Sequence, residues 1–280
     1  MALSHSITAR LRSLACVSFL TLSGIVFLVS CNGNGNQTGS KATNSSGEEI
    51  AGFRDVALES GLQFKMAFLP GEQGEKFKTN LYDHGCGVAI ADFDGDGLED
   101  IYFCNQLGPN ALYHNKGDGT FEDVAQQAGV ALGDRICVAA TWADYNNDGR
   151  PGLFVTSTRG GNVLFKNLGN GKFEDVTLQA FGKVHFGHSQ TAVFFDYDND
   201  GYLDLFVTNT AKWTQDKLDP TGKYYPGGAE LAELIDSPRE YNIIYHNNRD
   251  GTFTDVTEKA GMKGQGWSAD VAVFDSNDDG

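Results

Sequence analysis

The residues best placed to do chemistry in this 280-residue chain are aspartates at alternating positions of a short glycine-bearing stretch. Asp92-Phe-Asp-Gly-Asp-Gly-Leu-Glu-Asp100 carries carboxylates at its first, third, fifth and ninth positions and Gly97 at its sixth. A hard divalent cation wants several oxygen ligands, and alternating aspartates on a tight turn converge them on one point. Gly97 permits the positive φ of such a turn, and Leu98, seventh, can offer its backbone carbonyl. The chemistry this spacing predicts is Ca²⁺ coordination.

The stretch recurs. Asp196, Asp198, Asp200 and Asp204 form a second complete set, with the carbonyl of Tyr202 in the seventh position. Between them, Asp144, Asn146 and Asp148 depart from the pattern: Asn146 is neutral, Gly152 stands in the ninth position, and Arg150 offers the seventh carbonyl. Fewer charged ligands weaken Ca²⁺ binding, so this loop is either completed by water or empty. Asp275, Asn277 and Asp279 begin a fourth copy, and the sequence stops at Gly280. Asx turns held by their own side chains would explain one such loop easily and several in one register poorly. Coordination nearly filled by protein assigns the ion a structural role rather than a catalytic one.

The elements that position these loops also repeat. The leading aspartates fall at 92, 144, 196 and 275, and each complete copy is followed by a second signature. It reads Leu112-Tyr-His-Asn-Lys-Gly-Asp-Gly-Thr-Phe-Glu-Asp-Val124, then returns at 164–176 and 244–256; Phe53-Arg-Asp-Val56 keeps its tail. Apolar runs on either side of each acidic loop (87–91 and 100–103; 191–195 and 205–207) read as two strands. Asp-Gly or Asn-Gly at 118–119, 170–171 and 250–251 predicts a hairpin joining two more. Four short strands per unit, without helical periodicity between, indicate an all-β fold of propeller blades. An EF-hand is excluded, because its bidentate Glu at position twelve is replaced by Phe103, Val155 and Val207 inside β-type runs.

Asp92 to Phe121 resembles the FG-GAP or VCBS repeat of integrin α-subunit propellers and exported bacterial proteins. The Phe-x-Asp-Val tails and the amino terminus resemble bacterial lipoprotein relatives of the cartilage acidic protein family. The resemblance spans roughly residues 50–280 and implies a propeller of about seven blades with calcium between strands one and two. Residues 49–280 would hold about three blades and a truncated one, a fragment of a longer protein.

Residues 1–30 read as a lipoprotein-type signal: Arg10 and Arg12, an apolar run, then Leu28-Val29-Ser30-Cys31, which resembles a lipobox with Cys31 as the lipidated residue. Residues 31–48 read as a flexible tether. The domain is therefore expected outside the cytoplasm, held to a membrane by its lipid or, alternatively, secreted. A net charge of −16 argues against nucleic-acid partners. Cys86, Cys104 and Cys137 are expected as thiols, Cys86 and Cys104 being poorly placed for an unstrained cross-strand disulfide.

His114 and His246 share one slot of the second signature, which suggests a common packing or turn role. His84 and His188 each precede a leading aspartate by eight residues and, with His185, could line a ligand rim. The segment 211–240 is an insertion carrying Trp213, Tyr224 and Tyr225, with a short helix expected at 229–235. Strand parity puts it on the face opposite the acidic loops, where elaborated loops usually bind. The leading functional expectation is a calcium-binding, lipid-anchored surface module for a protein or glycan ligand. The alternative is the non-catalytic propeller portion of an extracytoplasmic enzyme, its active site at the His84/His188 rim or beyond Gly280. No nucleophile elbow, phosphate loop or catalytic zinc motif is present.

Overall fold

A computed structural model describes residues 53–67, 87–185, 187–210, 240–264 and 268–276. The chain divides at Val56/Ala57. Of the first part, residues 53–56 are described and lie in irregular backbone with Phe53 exposed. All that follows concerns the second part.

Twelve strands form three four-stranded antiparallel sheets among the described residues. The first holds β1 (Val88–Ala91), β2 (Asp100–Phe103), β3 (Ala111–Asn115) and β4 (Phe121–Asp123). The second holds β5 (Ile136–Ala143), β6 (Gly152–Arg159), β7 (Val163–Gly169) and β8 (Lys172–Asp175). The third holds β9 (Ser189–Phe195), β10 (Asp204–Asn209), β11 (Ile243–Asn247) and β12 (Phe253–Asp255). In each sheet the strands neighbour one another in chain order, which is the meander of a propeller blade. The first strands, β1, β5 and β9, adjoin from blade to blade.

The expected strands are present within two residues of their predicted ends, and Phe103, Val155 and Val207 lie on β2, β6 and β10, as exclusion of the EF-hand requires. The hairpins follow their turn chemistry. Asn170 and Gly171 both have positive φ, 49° and 72°, the two-residue type I′ pattern that matches strand twist. Two one-turn helices, α1 (Ala125–Ala128) and α2 (Thr177–Phe181), follow the Phe-Glu-Asp-Val tails. They are too short to show helical periodicity in sequence. The tail aspartate starts each: Asp123 Oδ1 accepts the Ala125 N–H at 3.0 Å, and Asp175 Oδ1 accepts that of Thr177 at 3.0 Å.

The apolar core lies between sheets. Along β6, Leu153 and Val155 enter the layer shared with the first blade, while Phe154 enters the layer shared with the third. On β7, Val163 and Phe165 face the first layer and Leu164 the second. This period of two buries both faces of the middle sheet. Each such side chain contributes about 1.5–3 kcal/mol through burial. Trp142 and Phe194, at matching places on β5 and β9, pack into these layers, Trp142 edge-on to Tyr102 and Phe194 edge-on to Phe154.

The layers are also hydrogen-bonded. Asn162 Nδ2 donates to Ser189 Oγ of the next blade at 2.8 Å, and Asn242 Nδ2 to Ser268 Oγ at 2.8 Å. In the first blade Asn110 takes the same place, and its amide reaches the thiol of Cys137. Cys104 and Cys137 are buried free thiols, as expected; Cys86 lies outside the described residues.

Candidate metal centre

The acidic loops are the connections between the first two strands of each blade. In the first loop, Asp92 accepts the N–H groups of Gly95, Asp96 and Gly97 at 2.7, 3.1 and 2.8 Å. Asp96 accepts the Leu98 N–H at 2.8 Å. These bonds curl the backbone so that carboxylate oxygens of Asp92, Asp94 and Asp96 lie within 4.8 Å of one another. Burial pushes the Asp92 carboxyl up, but its four N–H donors outweigh that and hold it below the usual range. Asp100 opens β2 with its side chain wholly buried, accepting the N–H of Phe93 at 3.2 Å and of Asn115 at 2.7 Å. Desolvation there raises its pKa in spite of those donors.

The third loop repeats this. Asp196 accepts the N–H groups of Asp200 and Gly201 at 3.0 and 2.7 Å, and oxygens of Asp196, Asp198 and Asp200 share one 4.8 Å cluster. Asp204 is the counterpart of Asp100: buried, raised by desolvation, and bonded to the N–H of Tyr197 at 3.0 Å and of Asn247 at 2.8 Å. One feature is particular to this blade. Arg249, on the β11–β12 hairpin, lays its guanidinium on Asp200, with Nε and Nη2 at 3.0 and 2.7 Å from Oδ2. That ion pair lowers the Asp200 pKa. It also places hairpin and acidic loop on the same face, as strand parity predicts.

The second loop has the same fold and a different filling. Asp144 accepts the N–H groups of Asp148 and Gly149 at 2.9 and 2.8 Å. Asp148 Oδ2, however, already takes Nδ2 of Asn146 and Nη2 of Arg150, each at 2.9 Å. The cationic side chain is thus supplied by the loop itself. No ninth-position carboxylate could be added without rearrangement. A Cβ on Gly152 would meet Tyr145 Cε1 at 2.5 Å and the Phe165 carbonyl at 2.9 Å.

Two sets of residues join these loops that spacing alone did not assign to them. His114 and His246, expected to pack or turn, instead reach the carboxylates. His114 Nδ1 is 3.2 Å from Asp100 Oδ1 and 3.4 Å from Asp94 Oδ2; His246 Nδ1 is 3.2 Å from Asp204 and 3.5 Å from Asp198. The asparagine that follows the histidine slot bonds its own blade's acidic loop in all three blades, and in the second and third it also ties that loop to the one before. Asn167 Nδ2 donates to Phe93 O of the preceding blade at 2.8 Å and to Pro151 O of its own at 3.0 Å. The signal was the repetition of Asn115, Asn167 and Asn247 at one place in the signature.

At the opposite ends of the strands, His188 is wholly buried rather than exposed at a rim, with Nδ1 3.1 Å from Glu240 Oε2. Burial lowers the His185 pKa against the pull of Glu240. His84, Cys31, Trp213, Tyr224, Tyr225, Asn277, Asp279 and the helix expected at 229–235 lie outside the described residues, while Asp275 lies in the described segment 268–276.

Comparison with known proteins decides the family. Residues 92–155 and 144–207 each match the FG-GAP-like repeat, with the leading aspartate of a loop at the start of both matches. The chain is an FG-GAP repeat protein. It is related to cartilage acidic protein 1, matching the Xenopus tropicalis protein at 30% identity over 210 residues, 71% of this chain and 29% of that one. The human protein matches at 30% identity over 165 residues, 58% of this chain and 22% of the relative. This FG-GAP protein therefore spans less than a third of the length of the curated relatives it matches. A solved structure described as an Agrocybe aegerita lectin specific for non-reducing terminal N-acetylglucosamine aligns with 64% of this chain and 55% of its own. The alignment has 16% identity and a TM-score of 0.28, and at that score it carries no argument about fold or ligand.

The donor sets of the FG-GAP loops fit a hard cation in blades one and three. Asp92, Asp94, Asp96 and Asp100, or Asp196, Asp198, Asp200 and Asp204, would hold Ca²⁺ with all-oxygen ligands, and the ion would cross-link each loop to β2 or β10. In blade two the fit fails, since Asn146 and Arg150 occupy the acceptor and Gly152 offers no oxygen side chain.

Proposed function

We propose that this protein is an extracytoplasmic FG-GAP module whose first and third acidic loops bind structural Ca²⁺ and whose opposite face binds a protein or glycan ligand. The observation that carries the metal half is the convergence of three aspartates within 4.8 Å in two loops, each backed by a buried ninth-position carboxylate. The clustered aspartates repel one another, a repulsion that Arg249 offsets only at Asp200 of the third loop, so a bound cation stabilises the folded blades preferentially. The ligand half rests on the sequence insertion at 211–240, which strand parity read from the sequence assigns to the face opposite the acidic loops. Lipidation of Cys31 would hold the module at a membrane surface. No helix among the described residues is long and apolar enough to cross a membrane.

Thermal unfolding with Ca²⁺ and then with chelator tests the metal half. Saturation to a hundredfold above Kd should add about 2.7 kcal/mol per site. An unchanged melting temperature would remove calcium from this reading and leave the loops as Asx turns. Export and lipidation are tested by labelling cells with a fatty-acid analogue and comparing wild type with Cys31→Ala. Equal labelling of both would remove the anchor.

A further inference from the structure

We propose that the first and third loops each form a mixed nitrogen–oxygen site, Asp94/Asp100/His114 and Asp198/Asp204/His246, that takes a first-row divalent cation of the Zn²⁺ class in competition with Ca²⁺. In both blades one atom from each of the three side chains lies within 4.8 Å of the others. The imidazole-to-carboxylate separations run from 3.2 to 3.5 Å. Ligands about 2.1 Å from one ion, at angles between octahedral and tetrahedral, are about 3.0–3.4 Å apart. Imidazole nitrogen is a good donor to such ions and a poor one to Ca²⁺, so the histidine adds affinity for the borderline metal alone.

Two further observations bear on the assignment. The Nδ1 atom of His246 is buried and stands 3.5 and 3.2 Å from Asp198 and Asp204 without a hydrogen bond to either, on a ring that is 27% exposed, whereas His114 Nδ1 does bond Asp100 Oδ1 at 3.2 Å. The set also comes and goes as a unit. Blade two has Lys166 in the histidine slot and lacks the other two ligands as well, with Asn146 third and Gly152 ninth. A histidine kept only for packing has no reason to follow the ninth-position aspartate.

The inference uses the same loops as the calcium reading, so the experiment titrates both metals. Calorimetry of the intact chain with Zn²⁺, and separately with Ca²⁺, is compared with His114→Ala, His246→Ala and the double variant. Each single variant should lose one Zn²⁺ site or weaken it about tenfold or more, with Ca²⁺ binding changed less than about threefold. Ring ¹⁵N shifts on Zn²⁺ addition to the unmutated chain should identify Nδ1 of both histidines as ligands, a readout independent of how the variants fold. Zn²⁺ binding that ignores the substitutions, its absence, or a parallel loss of Ca²⁺ affinity would overturn the proposal. Histidine-dependent Zn²⁺ binding without any Ca²⁺ binding would uphold it and sink the calcium reading instead.

Discussion

The side-chain amide of Asn247 donates at 2.7 Å to the backbone carbonyl of Tyr145, 102 residues earlier in the chain. The same nitrogen bonds Leu203 O at 2.9 Å, and Oδ1 accepts the Arg249 N–H at 3.0 Å, so one buried residue closes its own hairpin and fastens two acidic loops. Asn247→Ala leaves two carbonyls short of a donor and should cost about 1–3 kcal/mol in denaturant unfolding. Asn247→Asp should cost at least as much, because its new oxygen would face those carbonyls and stand near Asp204. Midpoints unchanged in both variants would show that the joint contributes nothing.

Gly152 holds a space that Tyr145 fills. Gly152→Ala is expected to destabilise by about 1–3 kcal/mol through overpacking. Gly152→Asp, designed to complete the second loop, should destabilise comparably without adding a Ca²⁺ site. A third calcium equivalent in a titration of that variant would refute the steric argument.

Arg249 competes for the third loop. Its guanidinium must leave Asp200 Oδ2, or share it, when a cation arrives. Arg249→Ala should therefore tighten Ca²⁺ at this loop, by a modest two- to fivefold because the pair is exposed and screened. The first loop, with Gly117 at the matching hairpin position, should be unaffected. Site-resolved titration in which both loops tighten equally, or neither, would refute this.

Cys137 gives the fold an alkaline limit. Burial pushes its thiol from 9.0 up to about 12. Between those values the unfolded chain has lost a proton that the native chain keeps, so stability falls as pH rises through the interval. Cys137→Ser places a hydroxyl where Ser189 and Ser268 already receive the matching asparagine, and should keep the joint while flattening the slope. Urea midpoints of both proteins between about pH 8 and 11 would test this, and parallel curves would show that Cys137 is not responsible.

What could be read from sequence was local. Strand order, hairpins and the clustering of the loop carboxylates depend on period-two burial, Asn-Gly and Asp-Gly turns, and aspartates two residues apart. Each of these acts within about ten residues. The part that was not legible depends on strand register. His114 reaches Asp100 only because Ile101 pairs with Tyr113 across β2 and β3, and spacing along the chain cannot report that distance. Glycine at 152 read simply as a missing ligand; the structure shows an aromatic ring where the ligand would have stood. The burial of His188 had no local signal either, and the carboxylate that meets its ring belongs to Glu240, 52 residues away.

The asparagine joint also bears on where this kind of chain can change. It spans 74 residues between the first two blades and 102 between the next two, yet makes the same pair of bonds each time. Donor and acceptor belong to the metal-loop end, so the joint does not register how much chain is inserted at the other. The segment 211–239 falls between β10 and β11 of the third blade, so a change in its length would leave the fastening between the second and third blades unaltered. Chain length can then vary between those two strands without the hydrogen bonds of the metal-loop end being renegotiated.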